Sequence, residues 1–242
     1  MRPQKKQVKE NLLKWYSPSL GLDTEMLIIG HAGYPIIIFP TTKGTYHENR
    51  DFKMMEMVRW MVEQGKIRFY CPSSVDKYSW YNKTVHPAER AKNHNYYDSF
   101  ILREVVESIT FHHGYHRVCV AGPSFGAFHA LNFAFRHPDR VSHLIAMSGN
   151  YDISTFMDGY YNDDVYFNNP VDFMPGNNHH DLWRMNIVLG AGEHDICLEG
   201  TIRMSEILRR KHIKHWLDIR HKATHDWPLW RQMLPDYLRC FA

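Results

Sequence analysis

The sequence predicts an α/β fold in which a mostly parallel sheet carries helices on both faces. Short β-rich apolar runs alternate with longer helical patterns along all 242 residues. No repeat, linker or low-complexity segment divides the chain, which therefore suits one domain. A Gly-x-Ser-x-Gly pattern also lies where a predicted strand passes directly into a predicted helix. Alternation of this kind places parallel strands at the centre and helices on the two faces.

The predicted elements begin with an antiparallel pair. Apolar, β-branched runs at 24–29 and 36–39 flank a turn at 31–33, which predicts a hairpin. Apolar residues at spacings of three then predict a helix at 51–64. The later elements, in order, are a strand at 67–71, a long polar and aromatic loop at 72–95, a helix at 97–112, a strand at 117–121, a helix at 124–136, strands at 144–147 and 187–189, a helix at 201–211, a strand at 216–219 and a helix at 229–240.

The charge balance is small and argues against polyanionic partners. With 29 Lys and Arg against 26 Asp and Glu, the formal net charge is +3, so neither nucleic acid nor an anionic membrane is expected as a partner. No apolar stretch approaches the ~20 residues that span a bilayer. The basic segment Met1–Lys6 is not followed by the apolar core of a signal peptide, so we expect a cytoplasmic protein.

Cysteine and histidine usage bear on redox and metal chemistry. The four cysteines, Cys71, Cys119, Cys197 and Cys240, form no C-x-x-C pair, so we expect reduced structural thiols. The 17 histidines invite a metal interpretation, but there is no H-E-x-x-H, the group at 112–116 surrounds a helix end, and 179–180 is a loop pair. Because convergent ligand spacing is missing, we expect no metal and no cofactor.

The pentapeptide Gly122-Pro123-Ser124-Phe125-Gly126 is the strongest local signal for chemistry. It follows the strand 117–121 and opens the helix, the strand-turn-helix setting that exposes a nucleophilic serine. Flanking glycines permit the close backbone approach of a sharp turn. At the helix N-terminus, the NH of Phe125 is placed to stabilise a developing oxyanion. The alternative is a serine that only caps the helix.

A serine nucleophile needs an acid and a base later in the chain. Asp195 is the predicted acid, with Glu193 as the alternative, because both follow the strand 187–189 where ligands gather at the carboxyl ends of parallel strands. His225 is the predicted base, because it lies in the loop between the last strand and the last helix. His221 is the competitor, closer to the end of that strand.

The second oxyanion donor is expected in the loop after the strand 36–39. This loop reads Pro40-Thr41-Thr42-Lys43-Gly44. Proline has no NH to offer, so Thr41 is the first candidate and Thr42 the second. Residues 152–181, rich in Asn, Asp, Tyr and Pro, are too long for an ordinary connection and predict an insertion over the active site.

With these residues, the sequence resembles the α/β-hydrolase superfamily, and within it the putative-esterase branch that includes S-formylglutathione hydrolase and the mycolyltransferases. The resemblance covers the whole chain and rests on segments 36–42, 48–52, 122–127, 136–138, 148–152, 165–170 and 225–227. It implies the α/β-hydrolase fold, with Ser124 as nucleophile, Asp195 as acid, His225 as base, and the NH groups of Phe125 and Thr41 as oxyanion hole. The His-Gly dipeptide common before the hole residue is replaced here by Phe39-Pro40.

The function predicted from these residues is a serine carboxylesterase acting on a small-molecule ester through an acyl-enzyme. One alternative is acyl transfer, in which an alcohol replaces water at the same site. Another is a non-catalytic binding protein on the same fold. A homo-oligomer is possible, and the sequence names neither the natural ester nor the residues that bind it.

Overall fold

An eight-stranded sheet forms the centre of the structure, a computed structural model that describes residues 8–239. The strands are β1 (Glu10–Ser17), β2 (Leu22–Ile29), β3 (Tyr34–Ile38), β4 (Ile67–Pro72), β5 (Val118–Pro123), β6 (Val141–Met147), β7 (Asn186–His194) and β8 (Trp216–Thr224). They lie in the order β1-β2-β4-β3-β5-β6-β7-β8. The pairs β1–β2 and β2–β4 are antiparallel and the other five are parallel. This confirms the predicted mostly parallel sheet with antiparallel N-terminal strands.

Helices connect the strands and cover the sheet. The α-helices are α1 (Glu48–Asp51), α2 (Arg59–Glu63), α3 (Pro87–Phe100), α4 (Glu107–His113), α5 (Phe125–Arg136), α6 (Asp163–Tyr166), α7 (Pro170–Phe173), α8 (Leu198–Arg210) and α9 (Trp227–Arg239). Short 3₁₀ turns lie at Met55–Val58, Ser154–Phe156, Met174–Gly176 and His180–Arg184, and a π-helical turn, Ile101–Val106, joins α3 to α4. None of the helices within residues 8–239 is long and apolar enough to cross a membrane.

Two apolar cores lie on opposite faces of the sheet. Alternate strand residues explain this, because successive side chains of a strand point to opposite faces. Ile37 and Val120 pack with apolar residues of α3 to α5 and α8. Ile36 and Cys119 pack instead with α2 and α9. The predicted helices on both faces are therefore confirmed.

The predicted hairpin of 24–29 with 36–39 is wrong. Strand β2 pairs with β1 and β4, while β3 lies between β4 and β5. The turn between them carries the chain across the start of β4: a Cβ on Gly33, whose φ is +103°, would lie 2.3 Å from the backbone of Lys66. The hairpin is formed by β1 and β2. Strand β1 was not predicted, because this edge strand is mostly exposed and carries no continuous apolar run.

Two helix predictions also differ in their extent. The predicted helix at 51–64 is interrupted at Lys53, whose left-handed φ of +64° separates α1 from the 3₁₀ turn and α2. The predicted loop at 72–95 ends early, because α3 begins at Pro87. The buried residues of α3 include Arg90, His94 and Asp98, so its inner face lacks the apolar period that indicates a helix in a sequence.

The segment 152–181 folds into short helices rather than one long loop. Near its start, the ring of Phe156 packs 5.6 Å from the ring of Phe125, next to the predicted nucleophile. Farther along, Asn168 accepts a hydrogen bond from Asn132 on α5 at 3.1 Å. The segment is thus attached to the helix that follows Ser124. A functional role for it over the site stays a prediction.

Three of the four cysteines lie within the described residues, and all three are free thiols. Cys71 and Cys119 are buried in β4 and β5, and burial raises the pKa of both thiols. Burial also raises the pKa of Cys197 to about 12. Cys240 and the basic segment Met1–Lys6 lie outside the described residues.

Candidate active site

Ser124 lies on a tight turn between β5 and α5. Its φ of +55° and ψ of −124° fall in a sparsely populated region that costs on the order of 1–3 kcal/mol, which the surrounding structure must offset. The turn also demands glycine two residues before the serine. A Cβ on Gly122 would lie 2.3 Å from the carbonyl oxygen of Gly126, so no larger residue fits. The strained backbone and the two glycines match the nucleophile elbow predicted from the pentapeptide.

Ser124, His225 and Asp195 come together at the carboxyl ends of three strands. His225 Nε2 lies 2.9 Å from Ser124 Oγ, and His225 Nδ1 lies 2.8 Å from Asp195 Oδ1. Because a carboxylate only accepts, Nδ1 carries the proton and Nε2 is free to accept from the serine hydroxyl. The Asp195 side chain is fully buried, whereas the His225 ring stays partly exposed. Asp195 follows Ser124 by 71 positions and His225 follows Asp195 by 30, and the structure joins all three into one hydrogen-bonded chain.

Asp195 is held in its ionised form. Burial acts to raise its pKa, but contacts from His225 and Ser148 and the NH of Cys197 together hold the pKa below its usual range. The Cys197 NH donates to Asp195 Oδ1 at 2.8 Å. A charged acid on the far side of the imidazole stabilises the imidazolium that forms when His225 takes a proton.

Two residues to which the sequence analysis assigned no part in the triad support this acid. Ser148, buried and with φ +60°, follows β6, and its Oγ accepts a hydrogen bond from Trp230 Nε1 at 2.8 Å. Asp195 Oδ2 is buried with no well-aligned hydrogen bond among residues 8–239, and Ser148 supplies the nearby hydroxyl that lowers its pKa. The Trp230 ring also meets the His225 ring edge-on at 5.1 Å. The position of Ser148 after a parallel strand was the available sequence signal.

The two alternative residues considered from the sequence pair with each other. Glu193 lies 2.7 Å from His221 Nδ1 and accepts from the NH of Lys222 at 2.9 Å. Both side chains are exposed to solvent. They therefore contact each other at the surface beside the site, and neither is within the hydrogen-bonded chain that reaches Ser124.

The two predicted oxyanion donors differ in their surroundings. The NH of Phe125, the first residue of α5, donates to no group among residues 8–239. The NH of Thr41, in contrast, donates to Glu48 Oε2 at 2.7 Å, and its hydroxyl donates to Glu48 Oε1 at 2.9 Å. Thr41 is thus already engaged in this structure. The NH of the alternative, Thr42, has no acceptor within the described part of the chain.

Only two groups of described residues have the spacing to hold a metal ion. One consists of Asp195, Cys197 and His225 and coincides with the site just described. The other consists of the exposed pair His179 and His180 with Asp181. Two guanidinium groups already face Asp181, from Arg117 at 3.3 Å and from Arg184 at 3.6 Å. Positive charge at that carboxylate disfavours a cation there.

Comparisons with solved structures agree with the fold. A ferulic acid esterase superposes with a TM-score of 0.76 at 17% identity, covering 98% of this chain and 99% of that chain. An S-formylglutathione hydrolase from Agrobacterium tumefaciens gives 0.76 at 14% identity, with coverages of 96% and 94%. MPT51 (FbpC1) from Mycobacterium tuberculosis gives 0.71 at 14% identity, with coverages of 97% and 99%. These likenesses show the α/β-hydrolase fold that the sequence predicts.

A family model identifies the class of protein. No curated protein sequence matches the chain. The model described as putative esterase, however, matches residues 35–241, which include every predicted site residue. This match confirms the predicted resemblance and the predicted class of enzyme, a hydrolase of carboxylic esters. The chain therefore belongs to the putative esterase family.

Proposed function

We propose that the protein hydrolyses small carboxylic esters through an acyl-enzyme on Ser124. The observation that carries this proposal is the hydrogen-bonded chain from Ser124 through His225 to the buried Asp195. A serine hydroxyl is a weak nucleophile at neutral pH, and an adjacent oriented base activates it. The distances of 2.9 and 2.8 Å are those of a nucleophile, base and acid within direct reach.

In the first half-reaction, Ser124 Oγ attacks the ester carbonyl carbon while its proton passes to His225 Nε2. The carbonyl oxygen takes the negative charge, and the tetrahedral intermediate collapses when the alkoxide leaves with the proton from His225. In the second half-reaction, water attacks the acyl-enzyme, His225 accepts its proton, and the acid is released as Ser124 regains its hydrogen. Asp195 keeps the imidazole in the correct tautomer throughout.

The oxyanion of both intermediates needs two fixed NH donors. Phe125 is the first, because its NH opens α5 and lacks an acceptor among the described residues. We assign the second to Thr42 rather than to Thr41, because the NH of Thr41 is committed to Glu48. Preorganised donors of this kind are worth about 10²- to 10³-fold each in kcat.

The test is hydrolysis of p-nitrophenyl acetate by Ser124→Ala and by a matched serine variant. Ser124→Ala should lower kcat by about 10⁴-fold or more, since the nucleophile is lost. Ser108→Ala, on the exposed surface of α4, should keep wild-type activity. A fluorophosphonate should label the wild type and the control but not Ser124→Ala. Near-normal turnover by Ser124→Ala would contradict the assignment. A series of p-nitrophenyl esters, tested on the wild type, defines the acyl chain that the enzyme prefers.

A further inference from the structure

Two carboxyl groups hold the loop that carries the proposed second oxyanion donor. Glu48 binds Thr41 through its NH and hydroxyl. Asp76 Oδ2 accepts the NH of Lys43 at 2.8 Å, on the other side of Thr42. A hydrogen bond from Gly44 NH to Thr41 carbonyl oxygen at 2.9 Å closes the turn. Thr42 is thus the second residue of a β-turn, the position whose NH takes no part in the turn's own hydrogen bond.

Asp76 connects this loop to the helix of the nucleophile. The residue is fully buried, and its other oxygen, Oδ1, lies 2.8 Å from His129 Nε2. His129 is 2% exposed and lies on α5, five residues after Ser124. Since the carboxylate can only accept, His129 carries its proton on Nε2. One hydrogen-bonded chain therefore runs from the NH of Lys43 through Asp76 to the helix whose first NH, that of Phe125, is the other donor.

Apolar packing does little to fix this loop. Thr42 and Lys43 are both exposed. Lys43 also has a left-handed φ of +56°, a conformation that a lysine adopts only when its surroundings enforce it. Two contacts hold it: its NH donates to Asp76 Oδ2, and its Nζ lies 4.7 Å from the centre of the Tyr81 ring. Burying a carboxyl group costs free energy unless hydrogen bonds within the protein replace those that it made to water.

We propose that Asp76 and His129 are positioning residues that fix the loop at 40–44 relative to α5. The inference rests on the proposed function, since it concerns the second donor of the same site. Oxyanion donors work only when they are already in place as the charge develops, and a displacement near 1 Å can cost about 10²-fold. The pair would hold the distance between the two donors and leave substrate binding unchanged.

A neighbouring histidine provides the matched control. His94 is 3% exposed and stacks on His129, with ring centroids 5.3 Å apart. Its Nε2 lies 3.2 Å from Asn132 Nδ2, and it has no bond to the loop at 40–44. His94→Leu therefore disturbs the same buried cluster as His129→Leu without breaking the chain to Lys43.

The first measurement is kinetic. With p-nitrophenyl acetate, His129→Leu should lower kcat by about 10- to 100-fold and leave KM within about threefold. The inhibition constant of a trifluoromethyl ketone, whose adduct places an oxyanion in the hole, should rise by the factor by which kcat/KM falls. His129→Gln keeps an NH donor and should recover most of the lost kcat. If His129→Leu does not fold, Asp76→Asn takes its place in this experiment. Asp76→Asn should lower kcat and retain the wild-type KM.

The second measurement does not depend on activity. Amide hydrogen exchange of the peptide covering 40–44 should quicken in His129→Leu and stay at the wild-type rate in His94→Leu. Unchanged exchange in His129→Leu overturns the proposal. So does a loss of kcat that simply follows the loss of melting temperature in both leucine variants. If Ser124→Ala stays active, the proposed function fails, and the exchange result still decides whether the pair fixes the loop.

Discussion

Replacing Gly126 by alanine tests how closely α5 must approach the loop at 40–44. Gly126 is the second residue of α5 and faces the end of β3. A Cβ there would lie 2.6 Å from the carbonyl oxygen of Pro40 and 2.7 Å from that of Phe39. These separations are 0.7–0.8 Å below the 3.4 Å at which ordinary van der Waals contact begins. Both oxygens belong to the backbone, so no side-chain rotation relieves the contact.

The expected consequences follow from that overlap. The backbone must separate by most of 1 Å, which displaces the loop carrying Thr42 from the helix carrying Ser124 and Phe125. Because misplacement of that size costs up to about 10²-fold, kcat for p-nitrophenyl acetate should fall by roughly that factor. Overpacking should also lower the free energy of unfolding by about 1–3 kcal/mol. For a chain of this length that is about 2–4 °C in melting temperature per kcal/mol.

The assay compares Gly126→Ala with an alanine that fits. At Gly176, the nearest atom to an added Cβ is the Tyr166 hydroxyl at 3.7 Å, so Gly176→Ala should match the wild type. Steady-state kinetics and thermal unfolding are measured for all three proteins. If Gly126→Ala keeps kcat within threefold of the wild type, the close approach does not set the hole geometry and the reasoning is wrong.

Three further predictions concern the acid, a buried histidine and a buried arginine. Asp195→Asn should lower kcat by about 10⁴-fold, because the amide favours the wrong imidazole tautomer; steady-state kinetics that show less than a tenfold loss would exclude Asp195 as the acid. The pKa of an unfolded histidine is about 6.5, and burial holds the pKa of His94 well below that value. As the pH falls, the unfolded chain therefore binds a proton that the folded chain does not. The free energy of unfolding should therefore fall as the pH drops below about 6.5, and urea titrations of His94→Leu should show a smaller fall over the same pH range. Arg90→Lys should lower the free energy of unfolding by about 1–3 kcal/mol, because the buried Arg90 donates to the carbonyl oxygens of Asn82 and Phe156. Lys83 is exposed, so the control Lys83→Ala should change the free energy of unfolding little.

The central residues of the candidate site could be predicted from the sequence because each has a local signal. Ser124 lies in a pentapeptide whose first glycine, Gly122, is required by the turn itself. Asp195 and His225 follow late strands, and the carboxyl ends of parallel strands meet at one edge of a sheet. Their convergence on Ser124 is a consequence of strand order, which needs no knowledge of individual side-chain contacts.

The different surroundings of the Thr41 and Thr42 NH groups could not be predicted in the same way. Both are turn residues after the same strand, and nothing in the local sequence distinguishes their NH groups. The distinction comes from Glu48, which accepts the NH of Thr41 once α1 has folded against the loop. Asp76 and His129 were missed for a related reason. They lie 53 positions apart, one in a loop and one within an otherwise apolar helix.

The sequence by itself determined the class of fold, the tight turn at Ser124 and the positions of Asp195 and His225 after late strands. These depend on backbone conformation and apolar periodicity, which neighbouring residues encode. Only the tertiary structure decided that β1 rather than β3 pairs with β2, that the NH of Thr41 is occupied, and that Ser148 and Trp230 lie beside Asp195. Those features are pairings between residues distant in the chain. Many partners of equal local propensity compete for each one, and only the packing of the whole sheet and its helices selects among them.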